Sequence, residues 1–218
     1  MVKPQSAFFE RFGSRGVAVL ERVIATAREA GALVCLDVKR GDIGSTSQAY
    51  ADAYLDPRSP LFSDAITASP YLGFGSLDPM VRTAQAHGAG VFVLALTSNP
   101  EGASVQRSVT ASGDTVAASV LQELRELNAD ASPLGSFGAV VGATIADPGT
   151  SLEVNGPLLV PGYGAQGGTV EDMARIFGAA ARNVVPSTSR GVLAAGPSPV
   201  ALADAARSAN DEVAVLGR

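Results

Sequence analysis

The stretch ALVCLDVKRGDIG, residues 32–44, decides the reading of the fold. Its first five residues are apolar without alternation, the pattern of a strand covered on both faces. Charged side chains then appear at its end: Asp37, Lys39 and, past Gly41, Asp42. Residues two apart in a strand face the same side, so Asp37 and Lys39 are expected to point together, with Leu33 and Cys35, toward an interior. Val38 is expected to point to covering helices. Asp42 falls in the following loop. Two carboxylates about 4 Å apart repel by about 4 kcal/mol at an effective dielectric of 20. A lysine between them relieves that repulsion and is held protonated. The alternative is an ion-pair network that only fixes the loop, although such networks are poor stabilisers because desolvation offsets the attraction.

Working outward, similar apolar runs recur: 65–67, 90–96, 138–144, 158–160 and 183–186, each bounded by turn residues. Helical patterns lie between them. Leu20, Val23, Ile24 and Ala27 share one helix face, with Gly31 as a C-terminal cap, and helices are predicted over 116–127 and 172–181. Strand and helix alternate, so the chain reads as one α/β domain over residues 1–218, with a parallel sheet wrapped by helices. No GxGxxG or Walker motif opens the first strand–helix unit, which counts against a nucleotide-binding open sheet. Polar groups instead follow several strands: Asp37 and Lys39, Thr97 to Asn99, Gln166, and Ser187 to Arg190. A site fed by many strand ends favours a (β/α)8 TIM barrel. Six strands are clear and Met1–Pro4 supplies a possible seventh, where a barrel needs eight. About seven strands would leave two edges unpaired where the barrel should close.

The composition narrows the classes of function. The chain has 218 residues, 46% of them hydrophobic, and a net charge of −5, so nothing attracts a nucleic acid backbone and no basic helix suggests a membrane surface. No apolar run reaches the roughly 18 residues of a spanning helix, and no signal peptide opens the chain. The one cysteine, Cys35, excludes an internal disulfide and suits a reducing compartment. The reading is a cytoplasmic protein. Among 16 basic residues only Lys3 and Lys39 are lysines. Arginine keeps its proton at any relevant pH and lysine need not, so these two positions are candidates for a required amine.

Two loops suggest anion binding. VPGYGAQGG (160–168) and STSRG (187–191) follow the last two strands, where barrels commonly bind phosphate. Their glycines allow backbone N–H groups to approach an anion closely. Gln166 can donate through its amide and Arg190 can fork two phosphate oxygens; tight turns and a surface charge are the alternatives. LTSNPEGASVQ (96–106) offers Ser98 and Asn99 to a base or amide edge, and its Pro–Glu–Gly core suits a loop that closes over a ligand. His87 is assigned no role, and no His, Cys and Asp residues have metal-ligand spacing.

Taken together, these motifs are familiar. LDVKRGDIGST resembles the Asp-x-Lys-x-x-Asp-Ile signature of the orotidine 5′-phosphate decarboxylase family. KPQSAFFERFG, SPYLG, TSNP, VVGAT, PGYGAQGG and STSRG resemble, in order, the motifs of its longer bacterial subgroup, including the actinobacterial type. The resemblance runs from Lys3 to about Gly196. It implies a (β/α)8 barrel that decarboxylates orotidine 5′-monophosphate to uridine 5′-monophosphate, the last step of de novo UMP synthesis, with no metal or cofactor. It also implies a homodimer with shared sites. Lys39 would protonate C6 of the pyrimidine, Asp37 would sit beside the substrate carboxylate, and Lys3 would complete the charge network. Asp42 and Thr46 would come from the partner subunit. Ser98 would bind the pyrimidine amide edge, and Gln166 and Arg190 the phosphate. One departure stands out: the family begins with a further strand ending in an Asp, and this sequence opens almost directly on the second strand, at Lys3. An N-terminally truncated, weakly active or unstable chain is the expectation. The alternatives are a non-catalytic relative that binds nucleotide or only dimerises, and a magnesium-dependent sugar-phosphate decarboxylase or aldolase of the same scaffold.

Overall fold

Apolar runs of four to seven residues become buried strands here, and the segments between them coil into helices whose apolar stripes cover those strands. The computed structural model describes every residue except 165, 166 and 218, and the chain divides into two compact units.

The first unit spans Met1–Leu94 with Ser136–Gly138. It contains α1 (Ser6–Glu10), α2 (Gly13–Glu29), β1 (Cys35–Arg40), α3 (Gly44–Leu55), β2 (Ala65–Ala68), α4 (Asp78–His87) and the start of β3 (Gly90–Leu96). β1 pairs with β2 and β2 with β3, both in parallel. The buried stripe of α2 is Gly16, Leu20 and Ile24, a spacing of four. Val23, expected on that face, is exposed. Gly16 lets α1 and α2 approach closely, since a Cβ there would lie 1.9 Å from the Phe9 carbonyl oxygen. Leu36, Leu55, Ile66, Leu77 and Met80 are fully buried in this unit. At the entrance to β1 the Asp64 carboxylate accepts the Val34 N–H at 2.8 Å. Leu33, expected to face the interior, is exposed just before it.

The Met1–Pro4 segment runs beside β1 without becoming a seventh strand. Val2 donates to Leu33 O and accepts from Cys35, and Pro4 O accepts the Asp37 N–H, each at 2.9 Å. These contacts leave only isolated parallel bridges, Val2 to Val34 and Gln5 to Asp37. Pro4 has no N–H to continue a ladder, and the chain turns into α1 at Ser6. Six strands are therefore found among the described residues, not about seven.

The second unit spans Ala95–Gly135 and Ala139–Arg218. It holds α5 (Ala103–Gln106), α6 (Val116–Leu127), most of β4 (Phe137–Val141), β5 (Leu158–Pro161), α7 (Val170–Phe177), β6 (Val184–Ser187), α8 (Arg190–Leu193) and α9 (Pro199–Val213). β4 pairs with β5 and β5 with β6, again in parallel. The α6 span agrees with its sequence pattern, burying Ala117, Val120, Leu121 and Leu124. α7 starts two residues before the predicted position because Thr169 and Asp172 form a reciprocal capping box. It ends at Phe177, where Gly178 turns to φ +47° and the chain tightens into a 3-10 helix over Gly178–Asn183. Among the described residues no helix is long and apolar enough to cross a membrane.

Candidate active site

In the first unit, the end of β1 gathers Asp37 between two amines. Asp37 is buried, and its Oδ2 accepts from Lys3 Nζ at 2.7 Å. Its Oδ1 accepts from Lys39 Nζ. Burial alone would push the Asp37 carboxyl up, but the Lys3 charge and the hydrogen bonds from both lysines outweigh it and hold the group below the usual carboxylate range. Asp37 is therefore an anion at neutral pH. Next to it, burial pushes the Cys35 thiol up to about 12, so this cysteine stays a protonated core residue. The sequence suggests a lysine between two acids. Within this chain the order is inverted, with one acid between two lysines.

β1 does not reach this point as a regular strand. Its pairing with β2 runs Leu36 to Ile66 and resumes at Arg40 to Ala68. Lys39 has φ +45°, a left-handed conformation uncommon for a residue other than glycine. The next residue is anchored from α1. Arg40 Nη2 donates to Glu10 Oε1 at 2.5 Å, Glu10 also accepts from the Ser6 hydroxyl, and the guanidinium lies over the Tyr50 ring at 5.6 Å. The Ser6 hydrogen bond and the Arg40 charge hold the Glu10 carboxyl below its ordinary range. Gly41 then passes against the loop after β2, where a Cβ would lie 2.2 Å from the Ser69 carbonyl oxygen. Gly41→Ala should therefore displace the Lys39–Asp42 turn. Overpacking of this kind costs about 1–3 kcal/mol, and for a chain of this size each kcal/mol lowers the melting temperature by about 2–4 °C. A thermal melt of the variant that overlays the parent would refute this close contact.

Among the described residues, no hydrogen bond or ion pair joins Asp42 or Thr46 to the cluster. Asp42 Oδ1 accepts the Ile43 N–H at 2.8 Å, and Asp42 makes no ion pair among the described residues. Thr46 is exposed in the first turn of α3.

The remaining expected residues belong to the second unit. Ser98 is exposed just after β3, and Gly142 makes room for it: a Cβ on Gly142 would lie 2.9 Å from the Ser98 nitrogen. The preceding Thr97 is gripped by the Gln106 amide, which accepts the Thr97 N–H at 2.9 Å and donates to its hydroxyl at 2.7 Å. The Pro–Glu–Gly core forms a 3-10 turn, Pro100–Gly102. Arg190 is exposed at the start of α8 and makes no ion pair among the described residues. Gln166 lies outside the described residues. Described residues after β5 and β6 line a cavity of about 810 Å³ together with α9, with Tyr163, Gly168, Thr188 and Gly191 on its wall. There the Tyr163 hydroxyl donates to Glu212 on α9. Among the described residues no cluster of His, Cys, Asp and Glu is placed to hold a metal ion.

Sequence reasoning missed the supports of the cluster: Thr67, which touches both Asp37 and Lys39, and the Ser6–Glu10–Arg40 chain. The only available signal for Thr67 was a hydroxyl inside an otherwise apolar strand.

These features define a class of protein first: a parallel α/β fold with a buried carboxylate bridging two amines at a strand end. Comparison with known proteins then gives the family. The family model of the orotidine 5′-phosphate decarboxylase / HUMPS family matches residues 1–206, and the chain belongs to that family. The orotidine 5′-phosphate decarboxylase of a Nocardioides species is 68% identical over 98% of this chain and 78% of the relative. That of Streptomyces coelicolor is 62% identical over 99% of this chain and 76% of the relative. The crystal structure of a Streptomyces avermitilis relative, 61% identical, superposes with a TM-score of 0.96 over 99% of this chain and 76% of that one. The Leishmania donovani OMP decarboxylase structure, 32% identical, gives 0.76 over 99% of this chain and 80% of that one.

Proposed function

We infer that this protein decarboxylates orotidine 5′-monophosphate to uridine 5′-monophosphate in pyrimidine biosynthesis. The observation that carries the reading is the Lys3–Asp37–Lys39 cluster, in a chain 62–68% identical to orotidine 5′-phosphate decarboxylases over nearly its whole length.

The cluster suits this chemistry. The C6–carboxyl bond breaks, CO2 leaves with the carboxyl carbon, and the bonding electron pair stays on C6. An ammonium at Lys39 stabilises that developing charge and gives C6 a proton. The Asp37 anion sits uncomfortably beside the substrate carboxylate and less so once CO2 has left. Fixed charges that favour the transition state over the ground state raise the rate. Lys3 balances Asp37 from the other side. The inversion seen within one chain fits the family arrangement in which a second acid, Asp42, and Thr46 come from a partner subunit, so a homodimer belongs to the proposal. Ser98 takes the pyrimidine amide edge, and Gln166 and Arg190 the phosphate. A (β/α)8 barrel is the fold this reading calls for, and no cofactor takes part.

The test is to mix the purified chain with orotidine 5′-monophosphate and follow loss of the orotate absorbance. Turnover without added magnesium is expected. Strict dependence on magnesium would point instead to a sugar-phosphate enzyme of the same scaffold. Binding of a uridine monophosphate analogue with no turnover would point to a non-catalytic relative.

A further inference from the structure

Thr67 lies fully buried in β2, and its hydroxyl has two partners, both in the charged cluster. Oγ1 accepts the backbone N–H of Lys39 at 2.9 Å and donates its proton to Asp37 Oδ1 at 2.8 Å. The register explains why a side chain is needed there. Between the Leu36–Ile66 and Arg40–Ala68 pairs, β1 contributes Asp37, Val38 and Lys39 while β2 contributes Thr67 alone. Three residues face one, a bulge in which the regular ladder leaves backbone groups over. The Thr67 hydroxyl takes up the Lys39 N–H at one end of the bulge and the Asp37 carboxylate at the other. It also sets how that carboxylate is turned. Thr67 and Lys39 Nζ share Oδ1, which leaves Oδ2 to Lys3.

We propose that Thr67 is a positioning residue of this decarboxylase: its hydroxyl holds Lys39 in the left-handed conformation and orients Asp37 so that each carboxylate oxygen serves one lysine. The proposal rests on the reading of Lys39 as the proton donor. Thr67 touches no reacting atom. It acts through the backbone of Lys39 and the rotation of Asp37, so its loss should lower the rate of the chemical step and leave phosphate and base recognition intact.

Two variants isolate the hydroxyl. Thr67→Val keeps the shape and removes the hydrogen bonds, whereas Thr67→Ser keeps them and removes the methyl group. For orotidine 5′-monophosphate, Thr67→Val should lower kcat by about 10–100-fold, the size of effect a misplacement of about 1 Å produces, with KM within about twofold. Thr67→Ser should recover kcat to within about threefold of the parent. A crystal structure of Thr67→Val should show Lys39 out of the left-handed region. Parental kcat in Thr67→Val would overturn the proposal. So would a Thr67→Ser variant as slow as Thr67→Val, which would assign the effect to methyl packing. Lys39→Ala, measured alongside, separates the two failures. If it keeps full turnover, the reading of the site falls and the Thr67 role falls with it. If it is inactive while Thr67→Val is not impaired, the Thr67 role alone is wrong.

Discussion

Lys39→Ala should lower kcat by about 10³–10⁴-fold. General acid transfer by a placed side chain is worth about 10²–10⁴-fold, and in the proposed mechanism the same ammonium also faces the charge that develops at C6. A 10⁴-fold loss corresponds to about 5.4 kcal/mol of transition-state stabilisation. The fold should survive. Lys39 is half-exposed, and Asp37 keeps Lys3 and Thr67 as partners. Lys39→Arg should fail as well, because a guanidinium keeps its proton at any working pH. The measurement is steady-state decay of the orotate absorbance, with circular dichroism to confirm the fold. An alanine variant within tenfold of the parent would remove Lys39 from the chemistry.

Asp37→Asn has the second largest expected effect, and it reaches both rate and stability. Neutralising Asp37 leaves two ammonium groups without the negative charge that spaces them, and in the proposed mechanism it also removes the charge that presses on the substrate carboxylate. A loss of about 10²–10³-fold in kcat follows if that pressure and the positioning of Lys39 both depend on the charge. The melting temperature should fall by about 3–6 °C, from hydrogen bonds to charged groups worth about 1.5 kcal/mol or slightly more. The pH dependence carries a sign. Burial raises the Asp37 pKa, but Lys3 and the lysine hydrogen bonds lower it further, so the folded value lies below the unfolded one. The stability Asp37 contributes is therefore present above the ordinary carboxylate value and is lost as pH falls through the depressed folded value. From pH 7 down to pH 3 the gap between the melts of parent and Asp37→Asn should narrow. Curves that stay parallel throughout would mean that Asp37 has the same pKa folded and unfolded, and that the lysines do not hold it down.

Much of this was legible in the sequence, for particular reasons. The six strands were readable because each is a short unbroken apolar run between turn residues, and α6 because its apolar spacing matches one helix turn. Asp37 stood out as a carboxylate at the end of such a run. Lys3 and Lys39 stood out because every other basic side chain in the sequence is arginine. That Asp37 and Lys39 meet was legible; the irregular backbone that joins them was not. A period-two argument assumes an unbroken ladder, and β1 carries two extra residues opposite Thr67. Nothing local to DVKR announces a left-handed lysine. Thr67 itself reads as an ordinary β-former within AIT. Met1–Pro4 offered a possible seventh strand, but proline and the early start of α1 leave only isolated bridges at Val2 and Gln5. Val23 failed as a core residue because the buried stripe of α2 runs at a spacing of four, through Gly16, Leu20 and Ile24.

The scarcity of lysine matters at the bench. Amine-reactive dyes, biotin esters and activated resins have two side-chain targets in this protein, and both hold Asp37. Lys39 is the more accessible, with 45% of its side chain exposed against 17% for Lys3. Coupling through lysine would therefore attach the molecule by the Asp37 cluster itself. Thiol chemistry offers no substitute, since Cys35 is buried with its proton held. A surface-bound or fluorescent form needs a new handle on an exposed helix face such as that of α9, well removed in sequence from β1.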